Sequence, residues 1–117
     1  MTSNHVLVKY QHMIECLTCQ QAQDLLRHCV TDGKVIPGPH FRKALADEGV
    51  TFQNVFSVLF KGIIYKAPEH DTAHGEWKYS VEGHEPDGKW LVVVFSFKAV
   101  DTAFLITVFS IEARNRK

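Results

Sequence analysis

The amino-acid sequence predicts an α+β domain, with helices packed on one face of a small antiparallel β-sheet of about four strands that ends in a C-terminal meander. Three observations lead there. Residues 75–111 hold one alternating segment and then two nearly continuous apolar runs, with turn residues between them. Residues 18–62 hold three segments whose apolar side chains recur at helical spacing, each closed by a glycine. A chain of 117 residues has room for one such core.

In chain order, residues 1–17 read as an N-terminal extension of mixed polarity, in which residues 5–10 form a short strand. The core domain then runs over residues 18–112, so the 117 residues make a single domain. Thr18 followed by Gln21 is a capping-box pattern. Behind it Ala22, Leu25, Leu26, Cys29 and Val30 fall on one face of a helix over residues 19–31, and Gly33 ends it. Lys34, Val35 and Ile36 are extended, held so by Pro37. Pro39 suits a first helical turn, where its missing N–H costs nothing. Phe41, Ala44 and Leu45 give that helix an apolar face over residues 40–47, and Gly49 stops it. Thr51 caps a third helix, in which Phe52, Val55, Phe56 and Leu59 form an i, i+3, i+4, i+7 stripe before Gly62.

The remaining elements are strands and loops. Residues 63–66 are rich in β-branched and aromatic side chains and read as a strand; residues 68–74 read as a polar loop. Trp77, Tyr79 and Val81 alternate with Lys78, Ser80 and Glu82, which is the period of a strand with one apolar face. Glu85, Pro86, Asp87 and Gly88 supply the hairpin turn. Residues 90–97 and 104–111 are apolar enough to be interior strands, joined by a connector over residues 98–103.

Composition removes several function classes. Thirteen basic residues balance thirteen acidic ones, and the balance holds within residues 1–59 and 60–117 alike, so no global field attracts polyanions. No window approaches the ~20 apolar residues of a membrane span, and no basic segment precedes an apolar one at the N-terminus. The expectation is a cytoplasmic protein with no membrane partner. Cys16, Cys19 and Cys29 are odd in number and crowded into the first quarter, which suits reduced thiols better than a disulfide framework. The C-x-x-C spacing of Cys16 and Cys19 is a weak zinc signal, with His12, His28 and Cys29 as the nearby candidate ligands. Buried or incidental thiols are the simpler reading.

No nucleophile elbow, phosphate loop, H-E-x-x-H or EF-hand pattern is present. Chemistry must therefore come from polar groups that the fold gathers. His40 opens a helix beside Arg42 and Lys43; His70, Asp71, His74 and Glu76 cluster before the meander; His84 and Lys89 flank the turn. Tyr79 lies on the apolar side of its strand and reads as core, which leaves the face of Lys78, Ser80 and Glu82 as the better place for a ligand.

The order of these parts resembles a widespread family of small bacterial proteins related to the RelE and MqsR toxins. The resemblance rests on His40 opening a helix that runs to Glu48 and Gly49, and on Glu76, Tyr79, Val81 and Gly83 before the Asp87–Gly88 turn and two long apolar strands. It covers residues 18–112. What it implies is a RelE-like fold and the toxin component of a toxin–antitoxin pair, cleaving messenger RNA without a metal or other cofactor. The implied partners are RNA and a small antitoxin protein. Attack of a ribose 2′-hydroxyl on its own phosphate needs a proton acceptor, a proton donor and a cation. On this chain the resemblance assigns those roles to His40 and Lys89 first, then Arg42, Lys43, Tyr79 and Glu76. Typical members carry arginines where this chain has Ala44 and Glu48. Two other readings stand beside it: a non-catalytic protein-interaction module on the same fold, and a small metal-binding protein.

Overall fold

The computed structural model describes residues 16–85 and 88–111. The extension strand expected at residues 5–10 lies outside that range, as do Pro86 and Asp87 of the turn. Helix α1 (Cys19–Asp32) leads into strand β1 (Lys34–Pro37). Helices α2 (Pro39–Glu48) and α3 (Phe52–Lys61) follow, and then β2 (Glu69–Asp71), β3 (Glu76–His84), β4 (Trp90–Ala99) and β5 (Thr102–Ile111). The expected helix ends are therefore met to within a residue or so. Both capping boxes form: the hydroxyls of Thr18 and Thr51 accept from the N–H groups of Gln21 and Asn54, whose side chains accept from the two cap N–H groups in return.

Among the described residues the sheet has five strands in the order β1-β5-β4-β3-β2, with β2 to β5 an antiparallel meander. The architecture is the α+β class read from the sequence, with three corrections. First, the extended segment at Lys34–Pro37 joins the sheet outside the meander, pairing with β5 in parallel, Lys34 opposite Thr102 through Pro37 opposite Leu105. Second, residues 63–66 make a single bridge, Ile63 with Glu82, rather than a strand. The next amide, that of Ile64, donates instead to Gln23 Oε1 of α1 at 2.7 Å, so it is unavailable to a ladder. Third, residues 69–71 of the expected polar loop pair with β3.

One face of the sheet carries the core. Tyr79 and Val81 of β3, Leu91, Val93, Phe95 and Phe97 of β4, and Ala103, Leu105 and Val108 of β5 are buried there. They meet Ala22, Leu26 and Cys29 of α1, Phe41 of α2, and Val55, Val58 and Leu59 of α3. A bulge at Ile106, where Val94 pairs with Thr107 but Phe95 with Leu105, lets Leu105 and Val108 point to the same side. Arg27 of α1 ties the helices together: its Nε donates to Phe60 O at 2.7 Å, at the C-terminal end of α3 where carbonyls lack partners.

Both sheet edges are protected. β1 covers β5 from Thr102 to Leu105. From there α2 runs on beside β5: the Gly38 N–H donates to Leu105 O, and at the far end the Ser110 hydroxyl donates to Glu48 Oε1 at 2.9 Å. The opposite edge, β2, is three residues long and charged, which discourages pairing with another chain. Among the described residues, no helix lies on the other face of the sheet. Lys78, Ser80 and Glu82 lie on it by alternation with Tyr79 and Val81, as expected.

Candidate functional site

The β2–β3 hairpin builds the first part of the site. Asp71 faces Glu76 across a loop of residues 72–75. Asp71 Oδ1 accepts from the N–H groups of Ala73 and His74, an Asx turn that folds the loop back on its own carboxylate. Gly75 completes the reversal at φ 63°, a left-handed conformation that favours glycine. His74 is thereby delivered with Nδ1 2.8 Å from Asp71 Oδ2, and Lys78 Nζ reaches the same oxygen at 3.0 Å. Hydrogen bonds from His74 and then Lys78 hold the Asp71 carboxyl well below the usual carboxylate range. On the other side of the strand, His70 lies against Trp77 with ring centroids 4.6 Å apart.

β4 supplies the rest. Lys98 Nζ lies 2.7 Å from Glu76 Oε1. His70, His74, Glu76, Trp77, Phe97 and Lys98 line a cleft of about 520 Å³ at this end of the sheet. Two imidazoles, a carboxylate, an ammonium and an aromatic wall are thus gathered in one concavity. Lys98 also extends the site across the sheet, because its Nζ sits 5.1 Å from the Phe104 ring centroid. Phe104 in turn packs so closely on Gly38 that a Cβ there would lie 2.6 Å from its Cζ. Gly38 is the N-cap of α2, two residues before His40, and Arg42 Nε donates to Pro37 O at 3.4 Å in the same junction. A band of residues therefore runs from the β2–β3 loop through Lys98 and Phe104 toward the start of α2.

The residues nominated from sequence fall in different places. Glu76 is in the cleft. His40 and Arg42, both exposed, are at the α2 end of the band. Lys43 pairs with Asp47 at 3.3 Å on an exposed stretch of α2. Lys89 donates to Glu48 O at 2.7 Å, at the C-terminal end of α2. Eight residues of helix separate it from His40, about 12 Å at 1.5 Å per residue. His40 and Lys89 are therefore not brought together. Tyr79 is buried in the core, 1% exposed, and its hydroxyl accepts from the Leu17 N–H.

Lys98 falls in the connector expected over residues 98–103 and so is not among the residues nominated from sequence. The signal was present: Lys98 continues the alternation of Trp90, Val92, Val94 and Ser96, which places it on the helix-free face with Lys78. A smaller concavity of about 200 Å³ lies on the helix-free face, lined by Lys66, Ser80, Glu82, Val92, Phe109 and Ile111. The three cysteines are free thiols, with Cys16 exposed, Cys19 half-buried and Cys29 buried. Burial, with a smaller contribution from Asp101, pushes the Cys29 thiol up to about 12. Among the described residues no helix is long and apolar enough to cross a membrane.

Comparison with curated proteins finds no significant match, and comparison with solved structures finds none either. The sequence profile of a domain of unknown function, DUF4258, matches residues 38–110. The match starts at the N-cap of α2 and takes in α2, α3 and most of the β2–β5 meander; α1 and β1 precede the matched residues. It spans well over half of the chain, and the protein belongs to the DUF4258 family.

Proposed function

We propose that the chain is a toxin-like endoribonuclease that cleaves RNA without a metal, and that its chemistry takes place in the cleft at the β2–β3 end of the sheet. The observation that carries this reading is His74, held by Asp71 at 2.8 Å beside the ammonium groups of Lys78 and Lys98. A carboxylate that orients an imidazole leaves the second ring nitrogen to act on substrate. In this reading His74 Nε2 takes the proton of a ribose 2′-hydroxyl. The 2′ oxygen bonds to phosphorus, the bond from phosphorus to the 5′ oxygen breaks, and His70 gives that oxygen a proton. The products are a 2′,3′-cyclic phosphate and a free 5′-hydroxyl. Lys98, turning from Glu76, balances the charge on the phosphate oxygens.

The band supplies the rest of the substrate site. Trp77 and Phe104 offer faces on which unpaired bases stack, and Arg42 and Lys78 offer contacts for flanking phosphates. His40 belongs to the substrate-binding end of the band. An antitoxin protein would neutralise the enzyme by covering the helix-free face.

Controlled expression in bacteria tests the reading. Wild-type protein arrests growth with loss of messenger RNA, and a His70→Ala, His74→Ala double variant does not. Lys89→Ala, at the far end of α2, retains the arrest. Arrest that survives the double variant would remove the cleft from the chemistry. A second reading, a non-catalytic protein-interaction module, is favoured by Phe109, which is 39% exposed beside Val92 and Ile111 on the same helix-free face. It predicts no arrest at good expression of folded protein.

A further inference from the structure

Three of the groups gathered at the hairpin are of metal-ligating types. Asp71, His74 and Glu76 each offer one ligand atom, and the three atoms lie within 4.8 Å of one another. Asp71 Oδ2 and His74 Nδ1 are already 2.8 Å apart. Around a cation bound at about 2.0–2.2 Å, neighbouring ligand atoms stand roughly 3–3.5 Å apart, so a small closure of the set suffices. We propose that Asp71, His74 and Glu76 form a site for a divalent transition-metal cation of the zinc class, which the cation enters in competition with Lys78 and Lys98. The ligand set selects the class. One imidazole nitrogen with two carboxylate oxygens suits zinc, whereas magnesium prefers an all-oxygen octahedron and keeps its waters.

The competition follows from the two ion pairs. Lys78 Nζ stands 3.0 Å from Asp71 Oδ2 and Lys98 Nζ 2.7 Å from Glu76 Oε1, so both carboxylates carry an ammonium when the metal is absent. Both lysine side chains are partly in solvent, 34% and 47% exposed, and their long stems let the ammonium groups move out to water. A metal in this position takes the carboxylates from the lysines. Metal binding stands apart from the cleavage reading. Its consequence, inhibition by removal of the His74–Asp71 pair and of the ordered ammonium groups, rests on that reading.

The test is titration of the full chain with zinc chloride against a chromophoric chelator at neutral pH, without RNA. A Cys16→Ser, Cys19→Ser background removes the exposed thiols as rival ligands, and circular dichroism confirms that each variant is folded. One zinc binds per chain. His74→Ala and Glu76→Gln each weaken it at least about tenfold, as loss of a ligand should. Lys98→Met strengthens it roughly threefold or more, because it removes a competing charge. Magnesium chloride produces no competition. Zinc binding that is absent, that is indifferent to His74→Ala and Glu76→Gln, or that does not tighten in Lys98→Met would each overturn the proposal. None of these outcomes depends on ribonuclease activity, so the two readings fail separately.

Discussion

The phenolic oxygen of Tyr79 accepts a hydrogen bond from the backbone N–H of Leu17 at 3.0 Å, joining positions 62 residues apart. Leu17 is itself buried and immediately precedes the cap of α1, so this bond fixes where the first helix enters the core. Tyr79→Phe keeps the ring packing on Phe95 and Phe97 but leaves the Leu17 N–H without its partner. The expected loss is about 1–3 kcal/mol, read as a lower urea midpoint at unchanged slope. Cleavage by the folded variant is expected to match wild type, because Tyr79 is buried in the core and is not among the residues that line the cleft.

Gln23 clips the segment after α3 to α1. Its Oε1 accepts from the buried Ile64 N–H at 2.7 Å. Gln23→Leu fills a similar volume but removes the acceptor, at a cost of about 1–3 kcal/mol. Native-state hydrogen exchange checks the cause: the Ile64 amide should exchange much faster in the variant, while amides at the centre of β4 change only with global stability.

Gly62, the C-cap of α3, packs tightly against β3. A Cβ at this position would lie 2.4 Å from Val58 O and 2.6 Å from Glu82 O, both backbone atoms that cannot swing aside. Gly62→Ala is expected to destabilise by about 2 kcal/mol or more, in the range of overpacked cores. Gly49→Ala provides the contrast, since nothing lies within 4 Å of its Cβ and the penalty there is the backbone strain of φ 69°. Thermal unfolding of the two variants separates steric from conformational cost.

Cys29 makes stability depend on alkaline pH. Its thiol rises from 9.0 to about 12 in the folded protein because the side chain is buried. The unfolded chain therefore loses this proton first as pH rises. The contribution is fully present below pH 9.0 and is lost as pH climbs toward about 12. The slope expected from one proton is about 1.4 kcal/mol per pH unit. Urea unfolding from pH 8 to 11 should show the decline in wild type and a shallower one in Cys29→Ala.

Most of the fold was legible because its signals are local. Thr18 and Thr51 cap where the pattern placed them, and the apolar runs of β4 and β5, rich in β-branched and aromatic residues, fit interior strands. Misreadings arose where a distant group decides the outcome. Residues 63–66 have strand composition, but Gln23 of α1 takes the Ile64 amide. The parallel pairing of Lys34–Pro37 with Thr102–Leu105 joins segments some seventy residues apart, and no short-range pattern reports it.

The site was partly legible for the same reason. The His70–Glu76 cluster stands out in sequence because the hairpin is local, and its Asx turn is written in Asp71 and Gly75. The cations that complete it come from facing strands. Lys98 reaches Glu76 across 22 positions, and Phe104 meets Gly38 through the β1–β5 edge. His40 and Lys89 looked alike in sequence, each a cation-type residue at the end of an element. In three dimensions α2 lies between them.

The central claim is that His74 and its neighbours drive metal-free attack of a ribose 2′-hydroxyl. The most direct measurement is cleavage of an end-labelled single-stranded RNA by purified protein in excess EDTA, beside the same strand carrying a 2′-deoxy nucleotide at the cleaved position. The account predicts a 2′,3′-cyclic phosphate product from the first strand, none at that position from the second, and a loss of roughly 10²- to 10⁴-fold in His74→Ala. No cleavage by the folded wild-type protein, or cleavage equal in wild type and His74→Ala, would contradict it.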